Sequence, residues 1–306
     1  MTSLLKTGSL VGALALLVAG PWFSGSAHAQ AYPAKPVRVI VAFASGGFAD
    51  RTARLIAQKL GDRLGQPFIV DNRGGAGGNI AAKNVADAAP DGYTLLVHTA
   101  AVSINVSLYK DIGFDLEKDL VPVAMTGSAP GLFTVIVSHP ANNLQDLIRM
   151  TKQSGKPLAY ATAGVGTSSH LAAEYLFNTL AGIPANHIPF KGGAPATTAV
   201  LGNQVELLSA SLGGALPFIK QGKMKALAVS SLTRIDDLPN VPTVSEAGFP
   251  GFEERSWVAF FAPVKTPPAI VQKLNAEVNQ ILAAPDVKST LVGQGTEVLI
   301  LSQPEF

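Results

Sequence analysis

The sequence predicts an α/β protein of two lobes, each a mainly parallel sheet flanked by helices. Three observations carry this. Apolar runs of strand length, rich in β-branched residues, alternate with longer segments whose apolar residues recur at helical spacing. The alternation breaks near residue 130 and then starts again. In each half a glycine-rich turn leads from a strand into a helix at an equivalent place: SGGFAD at 45–50 and GVGTSS at 164–169.

In the first half, VRVIVAF at 37–43 is a strand that runs into Gly46-Gly47. Residues 50–64 place Ala53, Leu55, Ile56, Leu60 and Leu64 on one face of a helix. A strand at 68–70, a helix at 79–88 and a strand at 93–98 follow. Strand, helix, strand, helix, strand implies right-handed crossovers and a parallel sheet covered on both faces. The second half repeats the theme. Strands are expected at 132–137, 158–162, 187–190, 205–208 and 226–230, with helices at 144–153, 168–180 and 194–201. After a turn-rich passage at 238–251, a strand at 257–262 and a long helix at 267–284, proline in its first turn, return the chain to the first lobe. The lobes are expected to be 30–129 with 254–306, and 130–253.

Composition narrows the function. The 306 residues, 47% hydrophobic and 14% charged, are enough to bury a real core. The absence of cysteine excludes thiolate metal sites, a catalytic thiol and disulfides. A formal charge of +2 with no basic run argues against nucleic acid as a partner. At the start, Lys6 precedes LVGALALLVAG at 10–20, which is too short to span a bilayer, and then Ala27-His28-Ala29 gives the A-x-A pattern of signal peptidase. A signal peptide over 1–29, cleaved after Ala29, is expected, and with it export to a bacterial periplasm.

No zinc-protease, P-loop or nucleophile-elbow motif occurs, and no two histidines stand at metal-ligand spacing. Gly164-Val165-Gly166 begins like a dinucleotide fingerprint, but Ser169 occupies the place of the third glycine. No enzyme, cofactor or metal is expected. What remains are the two glycine turns. Glycine lets a ligand approach main-chain N–H groups, and a helix start carries partial positive charge, so both turns suit a carboxylate. The alternative is a pair of ordinary tight turns, with Asp50 and Thr167 or Ser168 capping helices. Their matching positions in two lobes favour a ligand.

The chain resembles the Bug receptors, periplasmic solute-binding proteins of the tripartite tricarboxylate transporter type. The likeness lies in YPAKPVRVIV at 32–41 with GGFAD at 46–50, in DNRGGAGGN at 71–79, PDGYTLL at 90–96 and NVSLY at 105–109. It continues in GVGTSSHL at 164–171, KGGAPA at 191–196 and LPNVPTVSEAGF at 238–249. The resemblance implies a two-lobed type II periplasmic binding protein fold that closes on a small organic carboxylate, with the membrane subunits of a transporter as partners and the receptor itself a monomer. By position, Phe43, Ala44, Ser45, Gly46, Gly47, Phe48 and Asp50 form one wall, extended by His98, Thr99 and Ala100. Gly164, Val165, Gly166, Thr167, Ser168 and Ser169 face them, with Gly192, Gly193 and Ala194 alongside. Asp50 is expected to rigidify its turn as a cap, the alternative being a ligand contact. Lys191 is expected in solvent and His170 in packing.

Three departures from the family pattern bear on the ligand. Ala44-Ser45 replaces prolines, so Ser45 offers a hydroxyl and an N–H. Ser209-Ala210-Ser211 stands where many members carry Phe-Asp; with Ser209 in place of that pair, ligands bearing an ammonium group are disfavoured. Phe43 and Phe48 suit an aromatic mono- or dicarboxylate such as terephthalate, or else belong to the core. The chain ends at 302–306, where the family continues into a helix, and an exposed apolar face on the first lobe is expected. A ligand-sensing co-receptor would use the same pocket; an α/β enzyme would need a nucleophile with a base in reach.

Overall fold

The computed structural model describes residues 32–306; the expected signal peptide at 1–29 lies outside the described residues. Strand β1 (Val37–Val41) leads to helix α1 (Phe48–Leu64) and β2 (Phe68–Asn72). A 3-10 turn (Ala76–Gly78) opens α2 (Asn79–Ala86), which returns the chain to β3 (Thr94–Thr99). α3 (Ala101–Leu108) and α4 (Leu116–Asp119) precede the long β4 (Leu120–Ile136). Then come α5 (Leu144–Ser154), β5 (Leu158–Thr162), α6 (Ser168–Ala173), β6 (Ala185–Pro189) and α7 (Gly193–Leu201). β7 (Leu207–Ser211), α8 (Leu212–Lys220) and β8 (Met224–Val229) complete the second half. β9 (Arg255–Pro263), α9 (Pro268–Ala283), α10 (Pro285–Gly293) and β10 (Glu297–Val298) end the fold.

The strand order is β2-β1-β3-β9-β4-β7-β5-β6, with β10 and β8 also paired to β4. β1 is parallel to β2 and β3, and β5 is parallel to β6 and β7. Both halves therefore repeat one unit, β-α-β-α-β with the first strand in the middle. From the middle strand the chain crosses one way and then back over it, so right-handed crossovers put successive helices on opposite faces. Beside β4 every pairing is antiparallel, as is β3 with β9. Each half is thus a mixed sheet: parallel where helices cross over, antiparallel where the chain passes between halves.

The strand expected to begin at 132 starts instead at Leu120. Pro122, Gly127, Pro130 and Gly131 look like strand breakers in the sequence, but the ladder accommodates them. The register with β9 slips between Pro122 and Ala124 and again between Met125 and Gly127, bulges that spare the missing N–H. This one strand joins both half-sheets.

Each half has its own core. Ile40, Ile56, Leu60, Leu96, Phe260 and Val278 pack in the first. In the second, neighbouring strand residues divide between two faces: Phe133, Tyr160 and Leu207 on one, Leu132, Ala161 and Leu208 on the other. Each fully buried Leu or Ile stabilises the fold by about 2 kcal/mol.

Other elements also depart from expectation. The helix expected at 168–180 is α-helical only to Ala173 and continues as a π-helix, Glu174–Leu180. α3, α8 and α10 carry weak local signals; Gly213, Gly214 and Pro217 disguise α8. At the C-terminal end, Phe306 packs against Trp257 and Phe261, with ring centroids 6.1 and 5.7 Å away, and covers part of the face expected to be exposed. Among the described residues no helix is long and apolar enough to cross a membrane.

Candidate functional site

The carboxyl ends of the parallel strands in both halves point at one cleft, where open α/β sheets place their ligands. β1 runs out into a turn at 42–47 before α1, and Phe43, Gly47, Phe48 and Ala49 line the cleft. Thr99, at the end of β3, lines it beside them. Ser45 and Gly46 lie on the exposed outer side of the turn. Asp50 faces away from the cleft and is 2% exposed. Its carboxylate accepts the Gly46 N–H at 2.8 Å, Arg54 Nε at 3.0 Å and Asn72 Nδ2 at 2.8 Å. Asn72 Nδ2 also reaches the Phe43 carbonyl at 2.9 Å, tying both ends of the turn together. Burial alone would raise the Asp50 carboxyl, but the bonds from Arg54, Gly46 and Asn72 outweigh it and hold it below the ordinary aspartate value. Asp50 is a turn brace rather than a lining residue. The cap position itself belongs to Gly47.

His98 and Ala100, placed with this wall in the sequence, do not line the cleft. His98 is fully buried behind Phe43, edge to face at 5.5 Å, and its Nδ1 accepts the Thr99 N–H at 2.9 Å. Burial draws its pKa down to about 4, so it is neutral near pH 7. Ala100 is the cap residue of α3.

On the facing wall, Ala163, Thr167, Ser168, Ser169 and Gly193 line the cleft. Thr167 caps α6: its hydroxyl accepts the His170 N–H at 3.3 Å and donates to the Gly164 carbonyl at 2.8 Å. Gly164, Val165 and Gly166 instead face the first half, where the Val165 carbonyl accepts the Tyr109 hydroxyl at 3.4 Å. Gly192 and Ala194 are likewise contact residues between halves, packed near Ala44 and Gly46. Lys191 contributes its main chain: its carbonyl accepts the Ala44 N–H at 2.8 Å. Ser209 is buried and supports the wall from behind, donating to the Ser169 carbonyl at 2.8 Å. His170 stacks on His187 with centroids 4.1 Å apart, the packing role expected of it.

The lining also includes Ala210 and Ser211, from the segment where the chain departs from the family pattern, together with Gly214 and Ser256, which the sequence reading does not single out. Where β7 runs directly into α8, Ser211-Leu212-Gly213-Gly214 makes a third passage from strand to helix through glycines, and its small residues are a usable signal. Ser256, on β9, had none; only sheet register brings it in.

Four helix starts therefore supply the lining: α1 through Gly47 to Ala49, α6 through Thr167 to Ser169, α7 through Gly193, and α8 through Ser211 and Gly214. None of the lining side chains is charged. Main-chain N–H groups, helix dipoles and hydroxyls are what the cleft offers, an arrangement suited to an anion. It is narrow: the space that the centre of a water molecule can reach is about 50 Å³, room for several waters. Among the described residues no group of three His, Asp or Glu can hold a metal ion.

Residues 52–305 match the model of the tripartite tricarboxylate transporter family receptor. BugT of Bordetella pertussis is 36% identical over 296 residues, which cover 95% of this chain and 90% of BugT. The structure of the periplasmic binding protein BugD agrees with a TM-score of 0.85 at 37% identity, over 89% of this chain and 91% of that one. An R. palustris protein solved with adipate gives 0.86 at 35% identity, over 89% and 91%. With the family model spanning most of its length and these likenesses in sequence and fold, the chain belongs to the tripartite tricarboxylate transporter receptor family, the Bug receptors.

Proposed function

We propose that the protein is a periplasmic solute-binding protein that captures a small organic carboxylate between two lobes and delivers it to the membrane subunits of a tripartite transporter. One observation carries this reading: four helix starts converge on a cleft whose lining has no charged side chain. The adipate-bound relative supports the same ligand class. Phe43 and Phe48 in the lining favour a flat ring, hence an aromatic mono- or dicarboxylate such as terephthalate. The first lobe is 30–129 with 254–306 and the second 130–253, a division supported by the separate cores. The receptor works as a monomer, exported by the cleaved leader.

Binding is its whole activity. Among the described residues, no hydroxyl of the lining is hydrogen-bonded to a histidine ring; the close Thr162–His187 pair, at 2.6 Å, lies outside the cleft. Ligand stabilises the closed arrangement by its preference for it, and the transporter recognises that shape. Calorimetric titration with terephthalate, benzoate, adipate, citrate and glutamate tests this, with mass spectrometry of the recovered ligand. A carboxylate bound unchanged, with affinity on the order of micromolar, is the expected result. Glutamate as the tightest ligand would reject the aromatic preference, and chemical turnover would reject the binding role.

A further inference from the structure

The turn through which the second half meets the first rests on two histidines. Residues 164–166 run between lining residues, with Ala163 before them and Thr167, Ser168 and Ser169 after. The first half leaves this turn little room. A Cβ on Gly166 would collide with Asn105 Oδ1, and one on Gly77 would collide with the Val165 carbonyl. Asn105 itself is fully buried, and its Nδ2 donates to the Gly77 carbonyl at 3.1 Å and to Asn79 Oδ1 at 2.9 Å.

Within its own half the turn is held by imidazoles. His170 Nδ1 accepts the Gly166 N–H at 3.3 Å. Thr162 Oγ1 accepts the Gly164 N–H at 3.1 Å and lies 2.6 Å from His187 Nε2. The two rings stack with centroids 4.1 Å apart, and Tyr160 stacks on His187 at 5.1 Å. An imidazole that accepts at Nδ1 carries its proton on Nε2 and is neutral. Protonation of His170 would set a second N–H against that of Gly166, donor against donor. A turn free of the first half can shift to relieve this; a turn clasped by Gly77 and Asn105 cannot. The closed arrangement therefore excludes the proton more strongly than an open one.

We propose that His170 is a positioning residue for closure: when neutral it holds residues 164–166 in the form that the first half clasps, and its protonation competes with capture of a carboxylate. This rests on the carboxylate-binding reading above. Three other titratable groups pack around the pair and the turn. Glu174, at the start of the π-helix, accepts the Tyr160 hydroxyl and Asn178 Nδ2, the latter at 2.7 Å, and its charge favours protonation of both rings. Tyr160 comes from β5, and Tyr109 comes from the first half, donating to the Val165 carbonyl at 3.4 Å. Burial opposes Glu174 and prevails. It holds His170 below the ordinary histidine value and, with the charge of His170, draws His187 down to about 4. Affinity is therefore full above about pH 6.5 and falls as pH drops through the pKa of His170 in the open form.

Titration calorimetry with adipate and with terephthalate, from about pH 7.5 down to about pH 5, on the parent and on H170N in parallel, reads the competition. The asparagine offers an acceptor near the place of Nδ1 and takes no proton, and ionisation of the ligand is common to both proteins and cancels in the ratio of their Kd values. The ratio of parent to variant should be constant above about pH 7 and rise at least about fivefold by about pH 5. Imidazole NMR titration of the parent gives an independent route should H170N fold poorly, with saturating ligand expected to lower the pKa of His170. A flat ratio, or a parent that gains on H170N in acid as charge attraction alone would make it, overturns the role of His170 and leaves carboxylate capture standing. So does a His170 pKa that the ligand leaves unchanged or raises. Failure of every carboxylate to bind at about pH 7.5 overturns both.

Discussion

Arg51 of α1 donates a hydrogen bond across the cleft to the main-chain carbonyl of Gly213 in α8. Gly213 stands four residues before Pro217, which has no N–H to give it. The helix thus leaves one carbonyl free, and a cation from the other half-sheet takes it. Together with the Ala44–Lys191 main-chain bond at 2.8 Å, it joins the two halves on either side of the cleft. R51A is expected to lose this tie and populate a more open form. Small-angle scattering should show a larger radius of gyration without ligand, and Kd should weaken about five- to thirtyfold, about 1–2 kcal/mol. An unchanged radius and affinity would show that the bond contributes nothing to closure.

Gly74 lies where the halves meet, and a Cβ there would stand 2.5 Å from the Lys191 carbonyl. G74A leaves the cleft lining intact but keeps the halves apart. Carboxylate affinity should fall at least about tenfold while the ligand-free melting temperature changes by only a few degrees. Equal losses of affinity and stability would point to misfolding of the turn instead.

Asp50 makes acid sensitivity local. Its folded pKa lies below the unfolded value, so its stabilisation is complete above that unfolded value and disappears as pH falls through the folded one. D50N should cost about 1–3 kcal/mol near neutral pH and remove the part of the acid limb below about pH 4. Thermal melting across pH tests both; a variant whose acid limb matches that of the parent contradicts the assignment.

His98 acts in a higher window. Burial draws it to about 4, so the folded state binds its proton less readily than the unfolded chain does. Stability is complete above about pH 6.5 and declines toward pH 4, by at most about 1.4 kcal/mol per pH unit. His187, also drawn to about 4 by burial and by neighbouring His170, adds a smaller slope because it is only half-buried. H98Q should flatten the decline between these limits and leave the Asp50 window unchanged. Melting curves in which the two windows shift together would mean that the groups do not titrate independently.

Much of the scaffold was legible in the chain. The strand at 158–162 is legible to the residue, and the helices over 48–64 and 144–154 to within a few positions, because side-chain period and β-branched content are local properties. β4 was not legible in full. Proline and glycine stop most strands, and only pairing to β9, bulged near Pro122 and Gly127, and to β7 at Gly131 carries the strand through them here. α8 was hidden in the same way, its proline compensated by an arginine from another part of the chain.

The sequence by itself determined the alternation of strands and helices, the restart of the pattern in a second half and the glycine turns at the heads of helices. These follow from periodicity and turn chemistry within a few residues. The tertiary structure alone decided which turn residues look inward. It set Thr167, Ser168 and Ser169 in the cleft while turning Gly164, Val165 and Gly166 toward the opposite half, and it brought Ser256 to the site from a distant strand. Those placements depend on sheet register and on the meeting of two half-sheets, and no local pattern of residues encodes either.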